Sequence, residues 1–154
     1  MIGYLMDTNH VYAWEEQKTG IVSKVQALPK DDLIFTSVIS LGEISAGHHM
    51  TNGDARRRHL FRNFLNIYVI PSAIEVKHSS EDYYGQIMGR IWRKHPPSSP
   101  RTSTDLHLAQ LGVNINDIWI AASAWEHGLI LLTADKMACI REILPEVNWD
   151  NWLT

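Results

Sequence analysis

An α/β fold, with a central, mostly parallel sheet of four to five strands and helices on both faces, is what this sequence predicts. Three observations predict it. Short apolar runs rich in β-formers recur along the chain, at "GYLM", "DLIFTS", "IYVIP" and "LILLT". Segments with helical apolar spacing and recognisable caps separate them. The 154 residues suit one domain, spanning 1–154, that can bury a proper core. Strands alternating with helices imply βαβ units and therefore a parallel sheet.

Taken in order, "GYLM" reads as a short buried strand. "NHVYAWEEQ" follows as a helix, with Thr8 or Asn9 placed to cap it. "DLIFTS" is the second strand, and "SVISLGEISAGHHM" reads as a helix despite Gly42 and Gly47. "ARRRHLFRNFL" sets Leu60, Phe61, Phe64 and Leu65 on one helical face, with its arginines mostly on the other. "IYVIP", residues 67–71, reads as a third strand stopped by Pro71. "SSEDYYGQIMGRIWRK" takes Ser79 or Ser80 as its cap, acids in its first turn and bases in its last, as the helix dipole favours. "HPPSSPRTST" is a loop, since its three prolines cannot continue a helix. The spacing from Asp105 to Val113 allows a short helix. "NINDIWIAASAWEHG" is the best-marked helix, with Asn ahead of it and Gly128 behind. "LILLT" is the fourth strand, "KMACIREIL" a closing helix, and "VNWDNWLT" a short edge strand.

Composition excludes several classes. No apolar run approaches the length of a membrane span, and the N-terminus lacks a signal-peptide pattern. Cys139 stands alone, so there is neither a disulfide framework nor a cysteine zinc site, and a cytoplasmic protein is expected. The net charge of −3 is unevenly spread. Residues 56–101 hold nine of the fourteen Lys and Arg and three of the seventeen acids, a net +6 against −9 for the rest. A polyanion such as RNA would be drawn to that segment. Two solvated helix faces would give the same pattern.

Ligands of open parallel sheets bind outside the carboxyl ends of the strands. Four acids map to that rim. Asp7 ends the first strand, and Asp135 follows "LILLT" by two residues. Asp117 lies in the first turn of the "NDIWIAASA" helix, and Glu43 early in the helix after the second strand. Singly, each has a plain explanation as a cap, a first-turn acid or a surface residue. Together they would repel one another unless protonated or compensated by a cation. Hard divalent ions prefer such oxygen donors, and Mg²⁺ or Mn²⁺ fits best. That chemistry suits phosphodiester hydrolysis. Competing phosphate chemistries lack their marks. There is no GxxxxGK[ST] and no Gly-rich fingerprint after the first strand, and Asn9 stands where a phosphoaspartyl hydrolase needs a second Asp.

The residues "LMDTN", "TSVISLGEISAG", "NDIWIAASAWEHGLILLTAD" and "VNW" together resemble the PIN-domain ribonucleases, and more narrowly the VapC toxins of toxin–antitoxin pairs. The resemblance covers nearly the whole chain in order. It implies a three-layer α/β/α fold and an Mg²⁺- or Mn²⁺-dependent endoribonuclease. It carries the family's catalytic, metal-binding acids onto Asp7, Glu43, Asp117 and Asp135, and its supporting polar residues onto Asn9 and Thr133. It also implies a small antitoxin partner and a homodimer. Here the last acid comes early, in "TADKM", and residues 95–111 form a Pro/Ser/Thr-rich loop or insertion longer than in compact VapC toxins. Arg56, Arg57, Arg58, Arg90, Arg93 and Lys94 are the expected RNA-phosphate contacts, and Tyr83, Tyr84 and Trp92 are available for base stacking or for core packing. A housekeeping RNA-processing nuclease without an antitoxin, or a catalytically silent RNA-binding scaffold, is the alternative on the same fold.

Overall fold

A computed structural model describes residues 1–51, 55–68 and 73–153. Five strands form one sheet in the order β3-β2-β1-β4-β5, and every pairing is parallel. The strands are β1 (Gly3–Met6), β2 (Leu33–Ser37), β3 (Ala73–Ile74), β4 (Ile130–Leu132) and β5 (Trp149–Asp150). Eight helices connect them among the described residues: α1 (Thr8–Glu15), α2 (Thr19–Gln26), α3 (Val38–Met50), α4 (Ala55–Tyr68), α5 (Ser80–Lys94), α6 (Thr104–Gln110), α7 (Ile115–His127) and α8 (Ala138–Ile143).

Side chains alternate across a strand, and here the alternation divides the core in two. Leu5 and Leu131 point to one face, where Ile87, Ile91, Leu108, Ile118 and Leu144 pack. Met6 and Leu132 point to the other, among Val11, Trp14, Ile21, Ile44, Phe61 and Leu65. Helices α5 to α8 thus cover one face and α1 to α4 the other, which is the three-layer arrangement. Most of these side chains are almost wholly buried, each worth about 1.5–3 kcal/mol against exposure. A strand buried on both faces reads as a continuous apolar run, and so "LILL" carries no alternation.

The elements differ from the sequence expectation in four places. Helix α2 was not anticipated: Gly20 and the β-branched Thr19, Ile21, Val22 and Val25 weaken its local signal, while burial of Ile21 against α1 secures it. Helix α4 runs on to Tyr68, so Ile67 and Tyr68 are helical, and the rest of the strand expected at 67–71 lies outside the described residues. The third strand is Ala73–Ile74, after Pro71. Neither Thr8 nor Asn9 caps α1; Asp7 does, accepting from the His10 backbone N–H at 2.8 Å. Nor does either serine cap α5. Ser79 and Ser80 donate instead to the two carboxylate oxygens of Glu126 on α7, at 2.5 and 2.6 Å. The short helix after the proline-rich loop is present as α6, capped by Ser103. Gly128 ends α7 at φ +62°, a left-handed position that suits a residue without Cβ.

The apolar faces of α1 and α4 are largely taken up within the chain. Val11, Ala13, Trp14, Phe61 and Leu65 are all buried in the α1–α4 layer, although Leu60 stays half exposed.

Candidate functional site

Central strand β1 has β2 on one side and β4 on the other, so the chain reverses its winding at β1 and β4. A crevice opens at such a reversal, outside the carboxyl ends of the strands. Asp7 follows β1 directly. A helix that feeds a parallel strand runs back along the sheet, which brings the start of α7, and Asp117 with it, to this same rim. Glu43 sits in the second turn of α3, which leaves the end of β2. Asp135 stands in the turn after β4.

All four acids line one hollow of about 100 Å³, together with Thr8, Asn9 and Ile120. Asp7 is 3% exposed, Glu43 and Asp117 are half-buried, and Asp135 is exposed. Burial is the main reason that the Asp117 carboxyl is pushed up to about 6, with Asp135, Glu43 and Asp7 adding repulsion in that order. The carboxylates surround the hollow without closing on its centre. Among the described residues, no three His, Cys, Asp or Glu side chains stand together at the spacing of one ion's ligands. Four hard oxygen donors around so small a space suit Mg²⁺ or Mn²⁺ in kind.

Several hydrogen bonds fix the acids. Oδ1 of Asp7 accepts from the His10 backbone N–H and faces Nδ1 of the same residue at 2.9 Å. The Asp7 N–H donates to Leu132 O at 3.0 Å, tying it to β4. Thr8 Oγ1 donates to Glu43 Oε1 at 3.2 Å. The hydroxyl of Thr133, wholly buried, accepts from the Asp135 N–H at 3.1 Å and so shapes the turn that carries that acid. Asn9 lines the hollow and is exposed. Sequence reasoning missed Thr8 and His10. Thr8 was read only as a possible cap, and His10 carries no motif.

The expected phosphate contacts lie apart from this hollow, since none of its lining residues is basic. Arg57 pairs with Glu15 at 2.7 Å and Lys94 with Glu142 at 3.2 Å. Arg90 grips Glu146 through two hydrogen bonds, bonds Ile143 O and lies over the Trp125 ring. Arg58 lines a second hollow, between α3 and α4. Arg56 and Arg93 are on α4 and α5. At least three of these six cations, Arg57, Arg90 and Lys94, are thus matched by carboxylates of this chain. The aromatics are engaged as well: Tyr83 packs on Trp125, Tyr84 stacks on Trp119 at 4.0 Å, and Trp92 meets His107.

With this geometry in place, comparison with known proteins identifies the fold. The PIN domain family model matches residues 4–143. VapBC2 from Rickettsia felis, bound to a DNA fragment from its promoter, superposes with a TM-score of 0.73 at 20% identity, covering 98% of this chain and 99% of that one. VapBC-1 from nontypeable Haemophilus influenzae gives 0.69 at 18%, covering 99% and 100%. VapBC-5 from Mycobacterium tuberculosis gives 0.58 at 20%, covering 98% and 99%. At such identities the likeness is one of fold. No curated protein sequence matches the chain.

Proposed function

The chain belongs to the PIN domain family, and from that premise we propose that it is a Mg²⁺- or Mn²⁺-dependent endoribonuclease. One observation carries the reading: four carboxylates from four separate segments surround a single hollow at the carboxyl rim of the sheet. A scaffold without chemistry gains nothing from an acid that burial first, and then three neighbouring carboxylates, make costly to ionise, as at Asp117.

In this reading Asp7, Glu43 and Asp117 hold the cation, directly or through water, and Asp135 completes the pocket. Asp7 directly follows β1 and is held by two donors of His10, and Asp117 stands in the first turn of α7. Thr8 restrains Glu43, Thr133 sets the turn of Asp135, and Asn9 lies where it can orient water or phosphate. A bound divalent ion supplies Lewis acidity toward the phosphate and acidifies water at neutral pH. The carboxylates set its position, and Ile120 walls one side of the hollow. Hydrolysis by water, in line with the leaving 3′-oxygen, yields a 5′-phosphate and a 3′-hydroxyl.

The basic surface from residue 56 to 101 would meet RNA phosphates without reading sequence. Arg57, Arg90 and Lys94 would have to exchange a glutamate for a phosphate to take part. We further propose that the chain is the toxin of a toxin–antitoxin pair acting in the cytoplasm, on the strength of its fold likeness to VapBC proteins. The hollow between α3 and α4, lined by Leu41 and His48 beside Arg58 and Arg62, offers a seat for a small partner. No helix among the described residues is long and apolar enough to cross a membrane. We also propose that residues 1–154 form one PIN domain that pairs as a homodimer, which sedimentation checks.

The test is incubation of the purified chain with single-stranded RNA and Mg²⁺ or Mn²⁺, followed by analysis of the product ends. A 5′-phosphate that appears only with the metal supports the reading. Cleavage surviving excess EDTA, or a 2′,3′-cyclic phosphate product, overturns it. Growth arrest on expression, relieved in Asp7→Asn, separates a toxin from a housekeeping nuclease.

A further inference from the structure

His10 is wholly buried beside the best-buried acid of the hollow, and neither ring nitrogen is idle. The backbone N–H of Trp152 donates to its Nε2 at 3.1 Å, across 142 positions of sequence. Nε2 is therefore an acceptor, and the ring carries its proton on Nδ1. That proton points at Asp7 Oδ1, 2.9 Å away. The other tautomer would set N–H against N–H at Trp152 and a lone pair against the carboxylate, and would lose both bonds.

Trp152 is held independently of His10. Its indole N–H donates to Asp150 Oδ2 at 2.9 Å, and its ring packs against Tyr4 with centroids 4.9 Å apart. The relay thus has a fixed end at Trp152 and a functional end at Asp7. Helix capping needs only the backbone donor of His10, which Oδ1 already accepts at 2.8 Å. The ring N–H is a second donor to the same oxygen. Two donors on Oδ1 hold the carboxylate of a residue that lines the hollow.

We propose that His10 is a positioning residue that locks the Asp7 carboxylate in its ion-holding orientation, with the Trp152 backbone N–H selecting the tautomer that does so. This rests on the reading of Asp7 as a metal ligand. Partners of this kind orient ligands, and losing one typically weakens metal binding 10–100-fold.

Two substitutions separate the two ends. In His10→Asn the amide N–H takes the place of Nδ1 and still donates to Asp7, while the Trp152 N–H loses its acceptor. In His10→Gln the amide oxygen takes the place of Nε2 and still accepts from Trp152, while Asp7 keeps only its backbone donor. Mn²⁺ binding to the full chain, without RNA, is measured by calorimetry, and thermal melting is followed in EDTA. His10→Gln is expected to melt near the parent and to bind Mn²⁺ about tenfold more weakly. His10→Asn is expected to melt lower and to bind Mn²⁺ within about twofold of the parent. Parental Mn²⁺ affinity in His10→Gln overturns the positioning role. A parent chain that binds no Mn²⁺ overturns the metal reading itself.

Discussion

Asp117→Asn should make the protein more stable at neutral pH. The carboxyl stands at about 6 in the folded chain against its ordinary 3.8, through burial first and then through Asp135, Glu43 and Asp7. That displacement corresponds to a charging cost of ~3 kcal/mol, and solvent screening of a half-buried group reduces it to about 1–2 kcal/mol. Loss of a negative charge from the first turn of α7 costs about 0.5 kcal/mol in the field of the helix terminus. Relief of burial and repulsion is the larger effect, leaving a net gain of about 1 kcal/mol. In a domain of this size that raises the melting temperature by roughly 2–4 °C. The sign with pH follows from proton uptake. Between about 4 and 6 the folded chain binds more protons than the unfolded chain, so parental stability falls as pH rises through that window and levels off above it. The variant should therefore gain at pH 7.5 and gain little at pH 4.5, in melts run in EDTA. An unchanged melting temperature at pH 7.5, or an equal gain at both pH values, would refute the crowded-carboxylate picture.

Asp7→Asn keeps an oxygen for both His10 donors, so it should fold and melt within a few degrees of the parent while losing RNA cleavage by about 100-fold or more; a cleavage time course beside a thermal melt checks both halves. Glu126→Ala strips the acceptors from Ser79 and Ser80 and should cost about 1–3 kcal/mol by denaturant titration, with cleavage unchanged. Burial raises the Glu126 carboxyl, but the two seryl hydroxyls, together with His127 and Lys77, outweigh that and hold it below its usual value. The stability this group contributes is therefore present at neutral pH and lost as pH falls below about 4.5. Gly128→Ala forces a Cβ into a left-handed position and should cost about 1 kcal/mol, again without effect on cleavage.

Local rules were enough to read most of the sheet and all four acids. "NINDIWIAASAWEHG" announces its start, its face and its end within fifteen residues, so the rim position of Asp117 follows from helix polarity alone. Asp7 follows because an apolar run must end somewhere, and here it ends in a carboxylate. Legibility stopped where a partner lies far along the chain. Nothing near Arg57 announces Glu15, and nothing near Arg90 announces Glu146, so the basic segment seemed freer to meet RNA than it is. Helix α2 is made by packing rather than propensity. Ser79 and Ser80 have the look of caps and are spent on Glu126 instead. His10 was invisible for the same reason, since its second contact is supplied from residue 152. Asp7 also shows that the cap and the site need not be rival explanations: it caps α1 and lines the hollow.

Strand order carries a consequence for timing. The central strand pairs Tyr4 with Ile34 on one side and with Ile130 on the other. During synthesis the first of these neighbours emerges early and the second very late. A nascent chain that ends before residue 129 already carries Asp7, Glu43 and Asp117, yet β1 has an open edge, Asp135 does not exist and His10 has no donor to meet. Non-local parallel pairing is also slow to form. The RNA-cutting enzyme proposed above would be made beside the ribosome's own RNA and the message that encodes it. Topology keeps its pocket incomplete until β4 and the turn that carries Asp135 have been made.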